Sequence, residues 1–389
     1  MRKICFAMVW IYIFTVPWYQ SLVFGGDVGG ISRVVTIMTI PFAAFAALSG
    51  GHVRRVTKVH WLMLAHLMIA ALTLFWTADV DATATSIRSY VQIMVIVWLV
   101  WEFAGDEISV RRLAFAYVLG GWVSLVNTVL AGVSATQARL VRTAASGFNE
   151  NDLALVLTLG IPMACFAAAR APRYVRWICC SYIAVAPITV LMTGSRSGAV
   201  VLVIALTSIA LFGMRRGLLI RGALIAGFAT VMAVGVSFVP DHTIERILTV
   251  TNSGNLGDRL PIWEIALRSL SEHPVLGMGA GAFLHAGGAN YLTHNTYLSV
   301  LVEHGVAGLG VFLAIVIGLI AGIWQMRGQQ RNIWITLLIC WCVGVSTLTW
   351  EQSRWTWAVF AMAAALPYSG EMENGIAPAV GSQSLSGAH

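Results

Sequence analysis

The sequence predicts an all-α protein that crosses a membrane many times, and three observations carry that reading. The first is composition: 58% of the 389 residues are hydrophobic and 11% are Asp, Glu, Lys or Arg. Soluble domains carry roughly 25% charge, and the mean hydropathy of +0.79 agrees with the shortfall. Composition therefore excludes a soluble enzyme, a disordered chain and a disulfide-stapled secreted module. The second observation is a succession of apolar runs of near-spanning length. The third is charge sorting, with basic residues gathered in alternate connections.

Apolar runs fall near 5–24, 31–49, 59–76, 87–104, 113–132, 153–169, 175–193 and 199–213, then near 219–239, 306–324, 332–349 and 355–368. Roughly 20 residues cross the hydrocarbon layer as a helix, which gives about twelve spans. Arg2 and Lys3 precede the first run as they would in a signal peptide. That run exceeds the 7–15 residues of a typical signal-peptide core, so it reads as a retained first span. Cys5, Cys165, Cys179, Cys180, Cys340 and Cys342 all lie in apolar runs. They read as small packing residues, without a disulfide framework or metal-ligand spacing.

Orientation follows from the connections, because cytoplasmic loops retain Lys and Arg. One set of alternate segments holds Arg2 and Lys3; Arg54, Arg55 and Lys58; Arg111 and Arg112; Arg170, Arg173 and Arg176; Arg215, Arg216 and Arg221; and Arg327 and Arg331. That is 15 of the 24 basic residues, against five of the 17 acids. Both termini are therefore expected on the cytoplasmic side.

The opposite side has short turns at 25–30 and 350–354, a medium loop at 133–152 and a long loop at 240–293. Within that loop Pro261 to Arg268 reads as an amphipathic helix, with proline in its first turn and Glu264 paired to Arg268 four residues on. From His294 to Trp324 no strong breaker intervenes, and a single helix of that length would be about 46 Å long. Gly305, Gly308 and Gly310 predict a break near 305. The organisation is then spans one to nine over 1–239, the long loop 240–293, an interfacial helix with spans ten to twelve over 294–368, and a disordered cytoplasmic tail over 369–389.

Chemistry is sought among polar groups that a membrane rejects. Arg196 sits in the tight turn Gly194-Ser195-Arg196-Ser197-Gly198. Alone it reads either as a snorkelling anchor or as a phosphate ligand, since guanidinium is a planar fork of donors. Arg259 precedes the loop helix and reads either as an ion-pair partner of Asp258 or Glu264 or as a second phosphate contact. His294 opens His294-Asn295-Thr296-Tyr297-Leu298, as a helix cap or as a reactive imidazole. Gly277-x-Gly279-x-Gly281 lacks the strand–helix context of a dinucleotide loop and reads as a turn. Asp79 and Asp81 form a D-x-D pair with the alternatives of a solvated loop or a divalent-metal site.

In order, Gly-Ser-Arg-Ser-Gly (194–198), Asp-Arg-x-x-x-Trp (258–263), Gly-x-Gly-x-Gly-x-Phe (277–283) and His-Asn-x-Tyr-Leu (294–298) resemble the O-antigen ligase and O-antigen polymerase superfamily. Leu301-x-Glu303-x-Gly305-x-x-Gly308-Leu309 continues the pattern. Upstream, Asn149-Glu150-Asn151-Asp152-Leu153-Ala154 is similar to the family's Asn-x-Asn-x-Leu-Ala segment, with Glu150 where proline is usual.

The resemblance implies about twelve helices related to the membrane-embedded glycosyltransferases, with a large periplasmic loop, acting at the periplasmic face of a bacterial inner membrane. It implies transfer of a glycan from undecaprenyl diphosphate to an acceptor hydroxyl, without nucleotide sugar, cofactor or metal. Arg196 and Arg259 would contact the diphosphate and His294 would activate the acceptor. Ser195, Ser197, Asn149, Asn151, Arg142 and Asn295 would line the substrate. The acceptor is either a lipid A core (a ligase) or a second lipid-linked glycan (a polymerase), and nucleic acid is not a partner. A flippase or transporter of the same glycan is a third reading, disfavoured because the charges cluster at a boundary rather than at mid-membrane.

Overall fold

The computed structural model describes residues 2–21, 41, 53–135, 144–145, 147–212, 226–227, 230, 259–286 and 291–373. Among these the regular structure is helical, with no strands. Helix α1 (Arg2–Thr15) tightens into a 3-10 turn at Val16–Trp18, where Pro17 has no N–H to continue the α ladder. There follow α2 (Lys58–Leu72), α3 (Val80–Phe103), α4 (Glu107–Ala135), α5 (Glu150–Ala168), α6 (Arg173–Met192) and α7 (Arg196–Phe212). Beyond residue 258 come α8 (Leu260–Glu272), α9 (Thr296–Trp324), α10 (Gln329–Gly344) and α11 (Arg354–Glu373).

Among the described residues six stretches are long and apolar enough to cross a membrane: Lys58–Phe75, Val80–Phe103, Glu107–Ala131, Glu150–Ala168, Arg173–Met192 and Thr296–Trp324. Arg196–Leu211 is a shorter apolar helix. The expected count of about twelve is not reached among the described residues, for two reasons. Some apolar runs are cut short: α1 ends before Pro17, and α10 gives way to a 3-10 turn at Val345–Thr347. Others lie wholly or largely outside the described residues, namely the runs 31–49 and 219–239, as does the loop segment 240–258. Of the tail expected to be disordered from 369, residues 369–373 are instead helical, the last of α11, and the remainder lies outside the described residues.

Helix ends gather at two ends of the bundle. At the basic end Arg2 pairs with Glu102 at 2.9 Å, and the Arg54 backbone N–H donates to the same carboxylate at 2.8 Å. The Arg54 guanidinium lies 3.7 Å from the Trp101 ring centroid. Arg111 pairs with Glu107 at 2.7 Å and donates to the carbonyls of Phe166 and Ala169, taking up acceptors that the end of α5 leaves open. At the opposite end the Trp355 indole donates to the Val16 carbonyl at 2.8 Å, and the Ser124 hydroxyl to the Pro17 carbonyl at 2.7 Å. Buried tryptophans fill the space between these ends, with Trp341 4.6 Å from the Phe360 ring.

The break foreseen near 305 is present. Gly305 has φ 67° and ψ −171° inside α9, a conformation that glycine reaches without a Cβ penalty. A broken helix leaves carbonyls and N–H groups open, and in a low-dielectric setting they need partners. The segment 274–279 supplies them. Met278 and Gly279 N–H groups donate to the carbonyls of Val302 and Glu303 at 3.0 and 3.1 Å. Val306 and Ala307 N–H groups donate to the carbonyls of Pro274 and Val275 at 3.0 and 3.1 Å. Gly277, Gly279 and Gly281 all take positive φ in this segment, so the glycine-rich motif is a turn, and its place is the break in α9.

Candidate active site

Arg259 occupies the N-cap position of α8, with Pro261 in the first turn, and Trp263 lies one turn further along. The Trp263 indole N–H donates to the Thr293 carbonyl at 2.9 Å. That bond fastens α8 to the residue preceding His294 and brings Arg259 close enough for its charge to act on the imidazole. Burial, and then the Arg259 charge, depress the His294 pKa below its ordinary value, because both oppose a second positive charge.

His294 itself has φ 48°, a left-handed conformation that costs a non-glycine residue about 1–3 kcal/mol. Hydrogen bonds on either side hold it there. The Thr293 hydroxyl donates to the Asn295 carbonyl at 3.0 Å, and the Asn295 side-chain oxygen caps α9 by accepting from the Leu298 N–H at 3.1 Å. Asn295, expected to bind substrate, thus has its amide oxygen engaged in the cap.

A second group forms where α5, α6 and α7 meet. Asn149 caps α5, its side chain accepting from the Asn151 N–H at 2.9 Å. Asn151 accepts from the Ser195 hydroxyl at 2.7 Å, and that hydroxyl also accepts from the Gly198 N–H at 3.1 Å. Ser195 is buried and its hydroxyl is committed to this turn, whereas Arg196 and Ser197 are partly exposed. Among the described residues neither Arg196 nor Arg259 has an ion-pair partner; Glu264 pairs with Arg268 instead, at 3.5 Å. Arg142 and Asp258 lie outside the described residues.

The two groups are joined by a residue that sequence reasoning passed over. The Trp350 indole donates to Asp152 at 2.8 Å, and the Trp350 backbone N–H donates to the Thr296 hydroxyl at 2.8 Å. One turn thereby ties the start of α5 to the start of α9, two residues past His294. The next residue, Glu351, is buried and accepts from the Ser299 hydroxyl at 3.1 Å; burial raises the pKa of its carboxyl above the ordinary value. A carboxylate in Trp350-Glu351-Gln352, between two apolar runs, was the available signal.

Two further residues have structural duties. Glu303 accepts from the Gly281 N–H at 2.8 Å, so it anchors the glycine-rich turn to α9. Asp79 caps α3, accepting from the Ala82 N–H at 2.9 Å.

Residues 181–313 match the family model described as O-antigen ligase. The match takes in Arg196, Arg259, His294, Glu303 and the break at Gly305, while Asn149, Asn151 and the Trp350 turn lie outside it. No curated protein matches the chain. Through that segment, about a third of its length, this membrane protein is similar to the O-antigen ligase family that its motifs resemble.

Proposed function

We propose that the chain is a glycosyltransferase of the bacterial inner membrane, moving a glycan from undecaprenyl diphosphate to an acceptor hydroxyl at the periplasmic face, with the acceptor a lipid A core or similar glycolipid. The observation that carries this reading is the pair Arg259 and His294, held together by the Trp263–Thr293 hydrogen bond inside the family-matched segment.

The acceptor oxygen attacks the anomeric carbon while the bond from that carbon to the diphosphate oxygen breaks, and the electron pair leaves with the diphosphate. The acceptor proton passes to His294, whose depressed pKa keeps the imidazole neutral and able to accept it. Arg259 and Arg196 stabilise charge growing on the leaving diphosphate. The partly exposed hydroxyl of Ser197 and the side chain of Asn149 supply donors for sugar or phosphate oxygens. No metal or cofactor enters this scheme.

Purified protein is incubated with undecaprenyl-diphosphate-linked repeat units, with and without lipid A core. Transfer that requires the core is the result expected. A ladder of joined repeats without core identifies a polymerase instead, and absence of any transfer overturns the enzymatic reading.

A further inference from the structure

A cavity of about 170 Å³ lies between α1, α3 and the turn entering α11. It is lined by Tyr12, Tyr19, Ser89, Gln92, Gln352 and Arg354, with two α3 isoleucines behind them. None of these residues belongs to the groups around Arg196 or His294. Ser89 and Gln92 are three residues apart and share one face of a helix long and apolar enough to cross a membrane. Polar side chains in such a helix face a cavity or a partner.

The wall has definite chemistry. The Arg354 guanidinium lies 5.0 Å from the Tyr19 ring centroid, and Tyr19 also packs 5.1 Å from the Trp355 ring. Gln352 is held by its side-chain N–H donating to the Ser86 hydroxyl at 3.1 Å, one turn before Ser89. Aromatic rings offer flat apolar faces for the C–H side of a pyranose, while amides and a hydroxyl match its hydroxyl groups. Guanidinium adds a fork suited to carboxylate or phosphate. The volume is below the roughly 300 Å³ at which pockets for drug-sized ligands begin, so one sugar ring is accommodated rather than an oligosaccharide.

We propose that this cavity binds one acidic pyranose of a glycan, a ring bearing a carboxylate or a phosphate. The transferase reading supplies only the source of that sugar, the donor or acceptor chain; the binding itself stands on the cavity. Its position gives it a route to the reaction. Gln352 and Arg354 belong to the turn whose Trp350 N–H is bonded to Thr296, two residues past His294.

The test uses the full chain in nanodiscs, with saturation-transfer NMR against glucuronic acid, glucose 6-phosphate and glucose. At least one acidic sugar is expected to bind ten-fold or more tightly than glucose, and which one does identifies the anionic group. Arg354→Gln should abolish that preference. Gln92→Leu should weaken binding of every sugar at least ten-fold with an unchanged melting temperature, and His294→Ala should leave binding intact. Equal binding of glucose and both acids, a preference that survives Arg354→Gln, or loss of binding in His294→Ala overturns the proposal. Sugar binding without glycan transfer defeats the transferase reading alone, whereas transfer without sugar binding defeats this site alone.

Discussion

The two ends of the bundle treat charge in opposite ways. At the basic end Arg2 and Arg111 each pair with a carboxylate, and Arg54 bonds Glu102 through its backbone and stacks on Trp101. At the other end Arg259 stands beside a histidine whose protonation it opposes, and among the described residues neither it nor Arg196 meets a carboxylate. Compensated charges serve the fold. Cations that meet no carboxylate among the described residues, in a partly buried setting, favour an anion, which suits the proposed diphosphate.

Substitutions at the two ends should therefore differ in kind. The largest effect is expected at Arg196: Arg196→Ala should lower transfer by roughly 10²–10³-fold, the scale of losing one preorganised donor. Arg196→Lys should be nearly as poor, because the bidentate fork is lost although the charge remains. Near-normal turnover in the lysine variant would reduce Arg196 to a point charge or an anchor.

At the basic end, Glu102→Ala should lower thermal stability by about 1.5–3 kcal/mol through lost charge-assisted hydrogen bonds, with turnover per folded molecule unchanged. A collapse of turnover at full stability would erase the contrast between the ends.

A subtler outcome concerns pH. As the proposed base, His294 accepts a proton only when neutral, so activity should fall as pH drops through its pKa, which lies below the ordinary value near 6.5. Arg259→Gln removes a charge that opposes protonation, so the pKa rises and the acid limb of the pH–rate profile should move to higher pH. An unmoved limb would mean that the imidazole does not govern it. The smallest effect should come from Trp263→Phe, which deletes a single hydrogen bond of about 1 kcal/mol and should lower kcat/KM no more than about ten-fold.

Sequence resolved these regions unevenly, and the reasons are physical. Composition announces a membrane helix directly, and three glycines in an apolar run announce a break, so α9 and its interruption were legible. What fills the break was not: the bonds from residues 274–279 to α9 join backbone groups across the fold and leave no compositional mark. Arg259 and His294 each stood out in the sequence, in separate motifs, but the indole bond from Trp263 to Thr293 that ties their segments together did not. The turn 350–354 looked like a bare connection, yet Trp350 bridges the two polar groups through one side-chain and one backbone hydrogen bond. Six of the expected spans are present among the described residues, and two of the others, 31–49 and 219–239, lie largely outside them.

The most direct test of the account is the turnover of His294→Ala with saturating lipid-linked donor, measured together with donor affinity. A general base contributes about 10²–10⁴-fold; with diphosphate already a good leaving group, the loss should lie at the low end, roughly 100-fold, with donor affinity nearly unchanged. A variant that binds donor poorly but turns over bound donor at the normal rate would contradict the account and make His294 a binding residue.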